Sequence, residues 1–140
     1  MRAAVCDASI LFKLIVAEAD SDQAIAFVRS VRVFVPEFVY LEIGNALWFR
    51  IHHRDLDFAE GKRLIDRLRD LGFETLQIGP FIDRALEIAG TIGHPIYDCL
   101  YVAIAERYAI PLITADKRLI SAVRRGALPT ADVRMLRELS

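Results

Sequence analysis

Short apolar runs alternate with longer segments of helical periodicity along this chain. Residues 2–6 (RAAVC) form an apolar run followed by Asp7 and Ser9, a good helix N-cap context, which predicts a buried strand turning into a helix over residues 8–17. A second helix starts at Asp20-Ser21-Asp22, with Ala24, Ile25, Phe27, Val28 and Val31 as its apolar face. Residues 33–35 (VFV) read as a strand. Pro36 suits a first helical turn, and Phe38, Val39, Leu41, Ile43, Ala46, Leu47, Phe49 and Ile51 make the helix running to about His53 apolar on more than one side.

A polar break at residues 54–57 leads into a more amphipathic helix that runs to about Leu71 and stops at Gly72, a C-cap signal. Residues 73–78 are a strand candidate. Gly79-Pro80 opens a helix ending near Gly93, and Pro95 opens the next, in which Tyr97, Leu100, Tyr101, Ile104, Ala105 and Tyr108 recur at helical spacing. Residues 112–114 (LIT) are a second buried-strand signal followed by a helix from Asp116, and residues 133–136 suit a last strand. Strands alternating with helices predict an α/β fold with a central, mostly parallel sheet flanked by helices. No repeat, low-complexity tract or linker divides the chain, so residues 1–140 read as a single domain.

Composition bounds the function classes. With 54% hydrophobic residues, 140 residues can fill a sizeable core without disulfides, and Cys6 and Cys99 read as buried, reduced thiols. The apolar stretches fall well short of a membrane span and no charged leader opens the chain, so the expectation is a cytoplasmic protein with no membrane partner. A formal net charge of −1 ordinarily argues against a nucleic-acid partner. The distribution of charge changes that picture. Basic groups cluster at residues 50–54 (RIHHR), at Lys62, Arg63, Arg67 and Arg69, and at Lys117, Arg118, Arg124 and Arg125. If four carboxylates are sequestered around a cation, 18 basic groups face 15 acidic ones, a balance of +3 across which a phosphate backbone could lie. Each cluster taken singly also fits an ordinary solvated helix face.

The candidate chemistry lies in four acids set against apolar segments: Asp7 in AAVCDASIL, Glu42 in YLEIGNAL, Asp98 in PIYDCLYVAIAE and Asp116 in PLITADKRL. Gathered by the fold they would repel one another unless a cation sat between them. Asp7 and Asp116 each follow a predicted strand, where an Asp is equally at home as a helix cap. Glu42 and Asp98 lie in helices that look buried, so each needs a partner, a proton or a metal ion, and Arg50 or Arg107 could supply an ion pair instead. His52 and His53 are adjacent and point about 100° apart on a helix, so they cannot chelate one ion together. His94, before Pro95, reads as a loop residue, and no Cys/His spacing supports zinc.

At these residues the sequence resembles the PIN-domain ribonucleases, in particular the VapC-type toxins of prokaryotic toxin–antitoxin pairs. The likeness is carried by DASIL with Asp7 and Ser9, LEIGNAL with Glu42 and Asn45, YDCLYVAIAE with Asp98, and LITADKRL with Thr114 and Asp116. It implies a three-layer PIN-like fold, a homodimer, and a Mg²⁺- or Mn²⁺-dependent endoribonuclease that cuts RNA and is held inactive by a cognate antitoxin. By the same resemblance Asp7, Glu42, Asp98 and Asp116 are the metal-binding, catalytic acids, with Ser9, Asn45 and Thr114 as polar support. Hard oxygen donors suit Mg²⁺, and no covalent nucleophile is required. The alternative is a non-catalytic binding module whose acidic pocket docks a basic partner segment. An aspartyl phosphatase built on Asp7 is disfavoured, because Ser9 stands where such a site carries a second acid.

Overall fold

The fold is built around five parallel strands, seen in a computed structural model that describes residues 1–126 and 128–139. In chain order they are β1 (Ala3–Cys6), β2 (Arg32–Pro36), β3 (Glu74–Leu76), β4 (Leu112–Thr114) and β5 (Val133–Met135). Seven helices surround them: α1 (Ala8–Phe12), α2 (Ser21–Ser30), α3 (Phe38–His52), α4 (Phe58–Asp70), α5 (Ile82–Ile92), α6 (Ile96–Tyr108) and α7 (Lys117–Gly126). The spatial strand order is β3-β2-β1-β4-β5.

The two most apolar strands lie in the middle, with Val5 opposite Leu112 and Cys6 opposite Ile113. Helices cover both faces there, which is why these strands read as continuous apolar runs rather than alternating ones. The chain winds outward through β1, β2 and β3, then returns to lay β4 and β5 on the other side of β1. The order in which strands are added therefore reverses between the parallel neighbours β1 and β4, the switch point beyond whose carboxyl ends such sheets form a crevice.

Several elements differ from the sequence reading. The helix expected over residues 8–17 ends at Phe12, where Lys13 turns inward, its ammonium 2.8 Å from Asp20 and 3.7 Å from Glu18. Pro36 does not open a helix: it closes β2 opposite Leu76, and the ladder passes to Glu37, whose N–H donates to the Leu76 carbonyl at 2.8 Å. A proline that ends a strand leaves no ladder donor missing. The strand expected over residues 73–78 is only Glu74–Leu76, a short, largely exposed edge guarded by the Arg32–Glu74 ion pair at 2.9 Å. Gly79–Phe81 forms a single 3-10 turn before α5, and Leu136 lies in a second such turn after β5.

Helix α6 is the central helix, buried continuously from Cys99 to Ala105. Helix α3 buries Val39, Ile43 and Leu47 but leaves Leu41, Trp48 and Phe49 exposed, so it is covered on one side only. Among the described residues no helix is long and apolar enough to cross a membrane.

Candidate functional site

Asp7 is the first residue beyond β1 and is only 5% exposed. It caps α1 by accepting from the Ser9 amide at 3.1 Å, and the same oxygen accepts from the Ser9 hydroxyl at 2.5 Å. Its second oxygen accepts from the hydroxyl of Thr114, the buried last residue of β4. The two strands at the switch point are thus joined through one carboxylate. The network continues, because the Ser9 hydroxyl accepts from the Ala115 amide at 2.9 Å and the Thr114 hydroxyl accepts from the Asp116 amide at 3.0 Å.

Asp116 follows β4 as Asp7 follows β1. One of its oxygens accepts from the amide of Arg118 at 2.9 Å, the cap of α7, which leaves the other for a different partner. Asp98, one turn into α6, lies beside it. A ligating atom from each of Asp98, Asp116 and His94 can be chosen so that all three lie within 4.8 Å of one another. His94 Nε2 is 2.6 Å from Asp98 Oδ2, within hydrogen-bond distance of the carboxylate.

Glu42 enters from α3 and receives the hydroxyl of Tyr101, a fully buried residue of α6. Neither Arg50 nor Arg107 pairs with Glu42 or Asp98 among the described residues, so the ion pair left open by the sequence does not form. Burial is the main reason that the Glu42 carboxyl is pushed up to about 7, with the charges of Asp98 and Asp7 adding to the rise and the Tyr101 hydrogen bond opposing it. Burial likewise pushes Asp7 up to about 6 against the hydrogen bonds from Ser9 and Thr114, with Asp98 contributing. Three carboxylates therefore feel one another electrostatically, and the fourth stands next to Asp98.

Asn45 lies elsewhere. It is exposed and lines a groove with Tyr40, Leu41 and Ile65 between α3 and α4, with no hydrogen bond to the acids among the described residues. Two other residues do join them. Tyr101 reads from the sequence as core or interface, and His94 as a loop residue. The available signals are the i, i+4 spacing of His94 to Asp98 and a tyrosine one helical turn beyond that acid.

Asp98 and Asp116 open onto a cleft of about 620 Å³ whose other walls include His94, Lys117, Arg118, Ser121 and Arg125. One of the three basic clusters thus borders the acids. Half of another is engaged locally, since Lys62 and Arg69 both face Asp66 on their own helix at 3.3 and 3.8 Å. Cys6 and Cys99 are buried and unpaired. Burial pushes both thiols up, Cys99 to about 11, so neither is disposed to act as a nucleophile.

Comparison with known proteins agrees with this architecture. A family model described as the PIN domain matches residues 4–125. A protein named VapC ribonuclease Mb0985 from Mycobacterium bovis is 34% identical over 116 residues, 82% of this chain and 87% of the relative. A protein named Exonuclease VapC9 from Pyrobaculum aerophilum is 32% identical over 87 residues, 62% of this chain and 63% of the relative. The crystal structure of PAE2754 from Pyrobaculum aerophilum superposes with a TM-score of 0.74 at 25% identity, covering 99% of this chain and 86% of that one. A toxin–antitoxin complex from Klebsiella pneumoniae shares the fold, with a TM-score of 0.68 at 15% identity and coverage of 95% and 97%. The chain therefore belongs to the PIN domain family, among relatives named VapC ribonucleases.

Proposed function

We propose that this protein is a Mg²⁺- or Mn²⁺-dependent endoribonuclease and the toxin of a toxin–antitoxin pair. The observation that carries the reading is the electrostatic influence that Asp98 exerts on Asp7 and Glu42, with Asp98 itself standing beside Asp116 and His94 at a cleft with a basic wall. Carboxylates that repel one another across a buried site, two of them raised well above their ordinary values, are what a cation would relieve. The donor set is mostly hard oxygen, which fits Mg²⁺ and Mn²⁺. Asp7, Glu42, Asp98 and Asp116 would hold the ion. When bound, it supplies Lewis-acid activation of water and neutralises charge at the scissile phosphate.

The chain's own groups supply the rest. Ser9 and Thr114 fix the orientation of Asp7 through hydroxyl donors, and Tyr101 fixes Glu42. Lys117, Arg118 and Arg125 offer cations along the cleft to a polyanionic strand, with Ser121 between them as a neutral donor. The name VapC ribonuclease on a 34% identical relative supports RNA as the substrate. Cleavage within a strand rather than from its end is the finer part of the proposal. A circular RNA cut by the wild-type protein with Mg²⁺, and left intact with chelator, supports it; digestion of linear RNA alone points to an exonuclease.

An antitoxin partner belongs to the same reading. The acidic pocket attracts a basic side chain, and the exposed Leu41, Trp48 and Phe49 offer apolar surface to the segment that carries it. Exposed Leu86 and Tyr97 on α5 and α6 leave further surface for a homodimer. Light scattering should give about twice the 15.8 kDa chain mass; a monomer at micromolar concentration ends the dimer proposal.

A further inference from the structure

We infer that His94 is a nitrogen ligand of the divalent ion and biases this site toward Mn²⁺ over Mg²⁺, an inference that rests on the metal-dependent reading above. The backbone around His94 is held on both sides. Gly93 ends α5 in the left-handed conformation at φ 65°, and the amides of Gly93 and His94 both donate to the Ala89 carbonyl, at 2.9 and 3.3 Å. This is the bifurcated closure that a glycine at the end of a helix permits. Pro95 follows, which restricts His94 to extended backbone and caps α6. The thiol of Cys99, one turn into that helix, donates to the His94 carbonyl at 3.7 Å.

The His94 side chain is 12% exposed and its Nε2 faces Asp98, so a ligating nitrogen is already inside the group formed with Asp98 and Asp116. Such an arrangement fixes a ligand before the ion arrives, which lowers the ordering cost of binding. The chemistry then sets the preference. Mg²⁺ takes oxygen donors and keeps its waters, whereas affinity for an imidazole nitrogen rises along the first-row divalent series that begins with Mn²⁺. A site of carboxylates alone has no such bias. The competing role for His94 is to orient Asp98 by hydrogen bonding without touching the ion.

The test is pulsed electron paramagnetic resonance of Mn²⁺ bound to the wild-type protein, paired with equilibrium titration by Mn²⁺ and by Mg²⁺. The expected result is a ¹⁴N modulation on the bound Mn²⁺ that His94→Gln abolishes, since glutamine can still donate to Asp98 but offers no imidazole. The ratio of the Mg²⁺ to the Mn²⁺ dissociation constant should fall by about fivefold or more in that variant, mainly through weaker Mn²⁺ binding. His52 and His53, at the far end of α3 from Glu42 by about 15 Å of helix, provide the control: His52→Gln with His53→Gln should keep the modulation. That control stands even if His94→Gln fails to fold. Bound Mn²⁺ without ¹⁴N modulation, or an unchanged ratio in folded His94→Gln, overturns the inference and leaves the metal-dependent reading intact. Failure of either ion to bind the wild-type protein overturns both.

Discussion

The hydroxyl of Tyr101 donates to Glu42 Oε1, so the central helix α6 carries the support for an acid that α3 supplies. That hydrogen bond stabilises the ionised carboxylate against burial, which works to protonate it. Tyr101→Phe should raise the Glu42 pKa further and weaken Mn²⁺ binding at neutral pH. The protein should lose about 1–2 kcal/mol of stability, the usual effect of leaving a buried acceptor unpaired. Calorimetric titration and a thermal melt of the one variant check both; unchanged affinity and melting temperature would remove Tyr101 from the site.

The raised carboxyls give the metal-free protein a distinctive pH dependence. Asp7 moves from 3.8 to about 6 and Glu42 from 4.5 to about 7, so over that interval the folded state binds more protons than the unfolded one. Stability must then fall as pH rises. The contribution is fully present below about pH 4 and is lost as pH rises through about 6 for Asp7 and about 7 for Glu42. At roughly 1.4 kcal/mol per pKa unit the two shifts would total about 6 kcal/mol, which solvent screening at the partly exposed Glu42 reduces to a few kcal/mol. Melts in chelator from pH 4.5 to 7.5 should show the decline, and Asp7→Asn should flatten it. Saturating Mn²⁺ should reverse it, because the ion binds the ionised acids of the folded state. A melting temperature that rises with pH in chelator would contradict this.

Asp98→Asn should abolish RNA cleavage, by on the order of 10² or more in rate, while sparing the fold. Asp98 adds to the repulsion felt by Asp7 and Glu42, so the metal-free variant should be as stable as the wild type or slightly more so. An unfolded variant would mark Asp98 as structural, and a folded, fully active one would exclude it from catalysis.

Glycine-to-alanine substitutions at two positions should act in opposite directions. A Cβ on Gly126 would stand 2.3 Å from Ile92 Cγ2 and 3.4 Å from the Ile92 Cα, so α7 could no longer pack as closely on α5. Gly126→Ala should cost about 1–3 kcal/mol. At Gly90, inside α5, a Cβ meets nothing within 4 Å, and Gly90→Ala should stabilise by about 0.5–1 kcal/mol. Chemical denaturation of the two variants reads both signs.

The strands and helices that carry the acids were legible because their patterns are local. LIT followed by Asp116 and RAAVC followed by Asp7 name a strand end and a helix cap within a few residues. Elements whose limits depend on distant partners were not. The helix after Asp7 stops where Lys13 meets Asp20, and Pro36 stays in a strand because Leu76 lies opposite it. Tyr101 looked like any apolar residue at helical spacing, since only the approach of α3 gives its hydroxyl a partner. Pro95 is enough to place His94 in a loop, but the aim of its ring depends on the left-handed turn at Gly93 as well as on its spacing to Asp98. Asn45 carries the converse lesson: one turn from Glu42 on the same helix, it faces a different groove.

The order of the strands also governs when the molecule can become dangerous to its own cell, if it is the toxin proposed above. Asp7 and Glu42 are made early, yet Thr114, which completes the hydrogen bonding of Asp7, and Asp116 arrive only with β4, the strand that must slot in beside β1. No shorter nascent chain holds the assembled centre. Translation of most of the chain is therefore a silent interval, and an inhibitor made alongside it has that interval in which to accumulate.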